Sequence, residues 1–347
     1  MVALRIGRST ALRLVAAAAL LAGLLERARG DEGHGGPSSS FGISEALGLG
    51  YLSAAEVPRS REGIARHMLG LPDWMTVSAN LDVGHRSTNF FESDHDTTLF
   101  LGDSRIEFWI PPWDRGLAWG PYIRAAGIAS NREPAWENAW LAGPGLGFQV
   151  YPFSHPALND PDSLANKIFG PLRLFAERNR LDYLHDENEW RPDAQSRAGA
   201  EYWRAINVND TNEPLWAEIW SGLFWQSANE FDDDYDSVIF ANAVRAGVRW
   251  PKAGVLSMLT PYGLLESSLT DNDEYFWENK LVAGVGLRLT PFIRKPTRDW
   301  LTRLVVFAEY LEVVDYYHQE GPSGTPDHDF RVGISLSIGE WYRDSRW

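Results

Sequence analysis

Residues 328–341 read HDFRVGISLSIGEW, and this stretch decides the fold class. Phe330, Val332, Ile334, Leu336 and Ile338 fall on one side of an extended chain, and Arg331, Gly333, Ser335, Ser337 and Gly339 on the other. Successive side chains of a strand point to opposite faces, so a period of two with one apolar side predicts a strand. Residues 279–290 behave likewise, with Leu281, Ala283, Val285, Leu287 and Leu289 set against Lys280, Gly284, Gly286 and Arg288. These runs exceed the ~5–6 residues usual in a soluble strand. They suit the ~9–11 tilted residues of a membrane crossing.

Working outward, twelve such segments follow from Trp74 onward: roughly 74–87, 98–110, 118–130, 137–151, 171–183, 195–207, 215–227, 237–250, 255–268, 279–290, 301–315 and 328–341. Pro, Gly, Asn and Asp clusters separate them, as turns require. If the first strand leaves the periplasm, the outward connections include 88–98, 184–193, 228–236, 269–278 and 316–327, which are long and acidic. The inward ones at 111–117, 251–254 and 291–299 are mostly shorter, Pro-containing and more basic; 152–170 is a long exception. Long outer loops over short inner turns are the asymmetry of an outer-membrane barrel. The expected fold is therefore all-β: an antiparallel, 12-stranded transmembrane β-barrel over 73–347.

The chain's other features agree. Among 347 residues there are 16 Trp, 12 Tyr and 16 Phe, a load that interfacial aromatic girdles would use. Mean hydropathy is −0.30, and no segment after the N-terminus approaches the ~18 apolar residues of a membrane helix. That excludes a helical membrane protein, but not a barrel, whose lipid face takes alternate residues. Arg5, Arg8 and Arg13 precede the apolar run Leu14–Leu25, and Ala28-Arg29-Gly30 offers small residues for cleavage; residues 1–30 read as a secretory signal peptide. They carry five Arg and one Glu, so the mature chain stands at −19 against −15 for the whole. That acidity argues against nucleic acid as a partner. There is no cysteine, so export brings no disulfides and the hydrogen-bonded ladder must supply stability. Residues 31–72 read as a periplasmic linker with one or two short helices in 43–71.

The chain also matches itself. At an offset of 140, Ser87, Asn89, Phe91, Asp94, Asp96 and Phe100 match Ser227, Asn229, Phe231, Asp234, Asp236 and Phe240. Arg105 matches Arg245, and Pro121-Tyr122 matches Pro261-Tyr262. Trp136-Glu137-Asn138 pairs with Trp277-Glu278-Asn279 at 141, with Ala142-Gly143-Pro144-Gly145-Leu146 in step with Ala283-Gly284-Val285-Gly286-Leu287. Phe175-Ala176-Glu177 then matches Phe307-Ala308-Glu309. An ordered series of this kind predicts two six-strand repeats, about 74–207 and 215–341.

Three sets of residues are candidates for function. Asp103, Arg105, Glu107, Glu177, Arg245, Arg249, Arg288, Glu309 and Arg331 fall on inward faces, either as a selectivity lining or as ion pairs that close the lumen. His85 and Ser87, with Asn89 nearby, have the spacing of a His-x-Ser pair in which His takes the Ser proton, as in outer-membrane phospholipases and lipid A deacylases. Asp232, Asp233, Asp234 and Asp236 make an acidic outer loop, read as solvated rather than metal-binding. No cofactor or metal is expected.

Residues 171–184 (PLRLFAERNRLDYL), 197–204 (RAGAEYWR), 215–250 and 284–292 (GVGLRLTPF) resemble the C-terminal barrels of exopolysaccharide-export and phage-adsorption outer-membrane proteins. The resemblance implies an outer-membrane location, contact with lipid and lipopolysaccharide, and passage of a polar solute such as a saccharide. It also makes Trp347 the terminal aromatic that the barrel-assembly machinery reads. Relatives of that type carry a helical-repeat region ahead of the barrel, for which only residues 43–71 stand here. The expected function is a channel or export-associated porin. The alternatives are a lipid hydrolase using His85 and Ser87, and a non-transporting surface barrel that binds partners or phage through its acidic loops.

Overall fold

A computed structural model describes residues 74–88, 96–110, 118–131, 139–151, 172–183, 193–206, 213–228, 236–250, 254–271, 279–291, 304–317 and 327–339. Residues 1–30, read above as a signal peptide, residues 31–72, read as a linker with short helices, and Asn89, Asp232 to Asp234 and Trp347 lie outside them.

The strands are β1 Met75–Arg86, β2 Thr97–Phe108, β3 Ala118–Ser130, β4 Ala139–Tyr151, β5 Leu172–Arg180 with its continuation Asp182–Tyr183, and β6 Ala194–Ile206. Then come β7 Leu215–Gln226, β8 Ser237–Val248, β9 Leu259–Thr270, β10 Lys280–Leu289, β11 Leu304–Tyr316 and β12 His328–Gly339. Each pairs antiparallel with the next, and β12 pairs with β1, from Ser78↔Gly339 to Arg86↔Arg331, which closes the sheet into a barrel. Closure leaves no sheet edge, so the backbone polar groups of the wall are satisfied without water. A 12-residue strand is ~40 Å long, and at a tilt of ~40° it crosses the ~30 Å hydrocarbon layer.

The exterior is the apolar side. Val83, Phe100, Leu146, Leu215, Leu223, Val285 and Ile334 all point outward, with exposures from 40% to 64%. On β12, Phe330, Val332 and Ile334 are exposed while Arg331 and Ser335 are buried, as the alternation predicts.

The inner face departs from a uniformly polar lumen. Leu99 and Leu101 of β2, Ala126 and Ile128 of β3, Leu181 of β5 and Val305 and Phe307 of β11 form one buried cluster. Trp216, Tyr262, Leu264, Val282 and Leu311 form a second, and Phe175, Phe224, Ile239 and Ala241 a third. Apolar residues stand at inward positions because a twelve-strand lumen is narrow enough for side chains to meet across it.

Two local departures have physical causes. The segment expected at 255–268 enters the wall only at Leu259, because Gly254–Met258 makes a short 3-10 turn. In β4 the register against β3 shifts by two residues between Arg124↔Gly145 and Ala126↔Leu141, and the β4–β5 ladder shifts correspondingly. Pro144 lies in the shifted stretch; with no N–H to donate, proline is tolerated in a sheet at such bulges.

Candidate functional site: the charged interior of the barrel

The interior is organised as rows that follow the hydrogen-bond ladder around the wall. In one row, Tyr122 of β3 stands opposite Gly147 of β4, which stands opposite Glu177 of β5, which stands opposite Arg197 of β6. Gly147 has no side chain, so the Tyr122 ring crosses over it and its hydroxyl donates to Glu177 at 2.5 Å. Glu177 also accepts from Arg124 at 2.9 Å, Asn179 at 3.2 Å and Arg197 at 3.3 Å. Arg124 makes a two-pronged contact with Asp103 at 2.8 and 3.1 Å, the geometry that gives guanidinium–carboxylate pairs their strength. Arg173 joins Gln149 at 2.7 Å and Glu201 at 2.5 Å, its guanidinium 4.7 Å from the Tyr122 ring centre; Gln149 in turn donates to Glu107 at 2.9 Å. Arg105 lies 3.8 Å from Glu201.

The other half carries a matching row: Tyr262 opposite Gly286, Gly286 opposite Glu309, Glu309 opposite Arg331. Tyr262 crosses Gly286 and donates to Glu309 at 2.7 Å. Here Glu309 takes Arg245 at 3.2 Å, and Arg245 also holds Glu266 at 3.0 Å. Arg331 bonds Glu266 at 3.2 Å and Asp329 at 2.8 Å, and Arg86 reaches Asp329 at 3.2 Å. Arg288 grips Glu218 through both terminal guanidinium nitrogens and lies 4.5 Å from the Trp216 ring centre.

All nine expected lining residues thus turn inward: Asp103 is half-buried, while Arg105, Glu107, Glu177, Arg245, Arg249, Arg288, Glu309 and Arg331 are buried. Arg245 bonds Glu309, while Arg124 and Arg197 bond Glu177; the counterpart of Arg124 at the 140 offset is Leu264, so the two rows are not filled from the same repeat positions throughout. Sequence matching also put Gly145 in step with Gly286; the ladder puts Gly147 there, because the β4 bulge absorbs two residues. Tyr122, Arg124, Arg173, Glu201, Glu218, Glu266 and Asp329 complete these rows, and strand alternation alone does not single them out. Tyr122 and Tyr262 were visible in the self-match, but which strand each ring crosses is not a property of the sequence.

Gly147 and Gly286 give a direct test of these rows. A Cβ on Gly147 would lie 2.0 Å from a Tyr122 ring carbon, and one on Gly286 would lie 2.4 Å from Tyr262. Gly147→Ala and Gly286→Ala are each expected to cost about 1–3 kcal/mol through overpacking. Urea unfolding in lipid vesicles measures this, and Gly147→Ala should cost much less when introduced into Tyr122→Ala, where the ring it meets is gone.

Of the other candidates, His85, Ser87 and Asp236 lie together at one end of the barrel, by the end of β1 and the start of β8. His85 Nε2 contacts Asp96 at 2.8 Å. The Ser87 hydroxyl accepts from the Phe330 N–H at 2.9 Å and contacts Asp329 at 3.5 Å, so the hydrogen bonds described for His85 and Ser87 run to other residues. Asp236 is exposed and accepts from the Trp225 indole. The rim has matched clasps too. Asn131 receives Thr97 Oγ1 at 2.9 Å and the Thr98 N–H at 2.7 Å, and Asp271 receives Ser237 Oγ at 2.6 Å and the Val238 N–H at 2.8 Å. These donors, the Ser237 hydroxyl foremost, hold the Asp271 carboxyl below the usual carboxylate range.

Fold and site together define a closed, twelve-stranded antiparallel barrel with an apolar exterior and a charge-paired interior. No protein-family model matches the chain, and no curated protein matches it. Among solved structures it is similar to the NanC porin (9% identity, 74% of this chain and 98% of that chain, TM-score 0.33). It is similar also to OccK2 (OpdF) of Pseudomonas aeruginosa (11%, 77% and 98%, 0.32) and to the β domain of the Bordetella autotransporter BrkA (12%, 76% and 99%, 0.32). At such identities and scores a likeness says nothing of solute or activity.

Proposed function

We propose that this protein is a narrow channel of the bacterial outer membrane, passing a small polar solute along a lumen that its own ion pairs hold shut at rest. One observation carries this reading: charges of both signs are turned into the lumen and paired across strands, as in Arg245–Glu309, Arg288–Glu218 and Arg124–Glu177. A barrel needed only as a wall could fill its interior with apolar side chains, since burying ion pairs brings a desolvation penalty that apolar packing avoids. A lumen that hydrates when it opens removes that penalty. Paired rows lined by Tyr, Trp and Arg also suit a hydroxyl-rich solute such as a saccharide, which can stack on rings and bond guanidinium groups. The two halves are read as copies of one six-strand unit: the β1–β2 register Met75↔Phe108 recurs at an offset of 140 as Leu215↔Val248 in β7–β8. Export through the N-terminal signal, insertion by the assembly machinery and contact with lipopolysaccharide belong to the same reading.

Planar-bilayer recording tests it. The wild type is expected to open briefly and with small conductance. Arg288→Gln leaves Glu218 facing the lumen without its guanidinium, so openings should lengthen several-fold and the reversal potential should shift toward cation selectivity. A barrel that stays silent in both forms overturns the channel reading. A second reading then takes its place, a non-transporting surface barrel, and the three apolar clusters inside the lumen favour it.

A further inference from the structure

Asp82 is unlike the other inward carboxylates. It sits on β1, 3% exposed, with Ser335 of β12 directly opposite it in the ladder. Its Oδ2 accepts from Asn80 Nδ2 at 2.7 Å, and the Ser335 hydroxyl also bonds the carboxylate. Its Oδ1 is buried and has no hydrogen-bond partner. Asp103, Glu177, Glu201, Glu266 and Asp329 each lie against at least one guanidinium group. Among the described residues Asp82 lies against none.

Its surroundings sharpen the contrast. Across the ladder on β2 stands Leu101, and opposite Ser335 on β11 stands Val305, both in the apolar cluster that includes Phe307. An isolated ionised carboxylate in such a place is costly, by far more than a hydrogen-bonded neutral group, and has to be neutralised. At the 140 offset the other half has Gly222, so the barrel wall does not need a carboxylate at this position.

We propose that Asp82, with Asn80 and Ser335, forms a seat for a small monovalent cation inside the barrel. The unpartnered atom is a hard carboxylate oxygen, held in place by the Asn80 amide N–H on the other oxygen and flanked by the Ser335 hydroxyl, and hard oxygens suit alkali and alkaline-earth ions rather than thiophilic metals. A single carboxylate balances one positive charge, which selects a monovalent ion. The cation is either an inorganic ion or the ammonium group of a solute; both present the same charge to the same oxygens. The seat holds whether or not the barrel conducts.

The test uses the purified protein in detergent micelles at pH 8. Sodium, potassium or methylammonium replaces N-methyl-D-glucamine at constant ionic strength, so that general screening stays fixed. A ligand that binds only the folded state raises stability with its concentration. The wild-type melting temperature should rise by several degrees across the titration, and Asp82→Asn, which keeps the shape and removes the charge, should stay flat. Ser335→Ala should require more cation for the same rise. A response to methylammonium equal to that for sodium assigns the seat to an ammonium group; a response to sodium or potassium alone assigns it to an inorganic ion. Sodium NMR line broadening, relieved by competing potassium, reads binding on the wild type without any variant. The proposal is overturned by a flat wild type, by an equal rise in Asp82→Asn, or by stability that follows pH alone, which would mean that Asp82 binds a proton only.

Discussion

Glu177→Ala is expected to be the most damaging single substitution inside the barrel, at about 3–5 kcal/mol, the usual cost of breaking a buried charge pair from one side. Glu177 accepts from Tyr122, Arg124, Asn179 and Arg197. Arg124 would keep Asp103, but Arg197 would lose the carboxylate that stands opposite it in the ladder. The Tyr122 hydroxyl would also point at an empty position. Glu177→Gln should fall between wild type and Ala, since it keeps an acceptor and removes the charge. Urea unfolding of the vesicle-embedded barrel, followed by tryptophan fluorescence, measures both. A loss under 1 kcal/mol for Glu177→Ala would show that the interior is already wet and that the network adds little.

The second large effect lies at the seam where the last strand meets the first. Asp329 is fully buried and joins both sides of that seam, accepting from Arg86 and the Thr88 N–H on the β1 side and from Arg331 on β12. Ser87 adds a contact from its hydroxyl, and the Thr88 hydroxyl donates to the His328 carbonyl at 2.7 Å. Closing the barrel brings together residues more than 240 positions apart, so this seam bears the largest loop-closure entropy of any strand pair in the wall. Asp329→Ala is expected to cost about 3 kcal/mol or more, because two guanidinium groups lose one shared carboxylate. It should also slow folding into vesicles, since the seam closes the longest loop of any strand pair in the wall. The folded fraction over time is read from the different gel mobility of unheated, folded barrel. Normal folding speed with reduced stability would place the seam's contribution after the rate-limiting step.

Much of this molecule is legible in its sequence, for a definable reason. Strand periodicity is local: the alternation over 328–341 places Arg331 inside and Phe330 outside with no knowledge of any neighbour, because a membrane barrel has one solvent on each face. The count of twelve, the inward side of Arg288 and Glu309, and the self-match of residues 87–100 with 227–240 need nothing else. What the alternation cannot show is how one strand sits against the next. The β4 bulge moves Gly147, not Gly145, under the Tyr122 ring, and that shift is invisible until β3 and β5 are in register on either side.

The sequence by itself therefore determined the wall: its strands, their faces and their number. The tertiary structure alone decided the interior. Register fixes which residues share a row, and curvature brings strands as far apart as β2 and β11 into one cluster. Hence Arg124 and Arg197 reach Glu177 from different strands, leucines stand inside a lumen expected to be polar, and Asp82 is left with a buried oxygen that has no hydrogen-bond partner. Pairing between side chains depends on distance, and distance across a closed barrel is set only when the last strand meets the first.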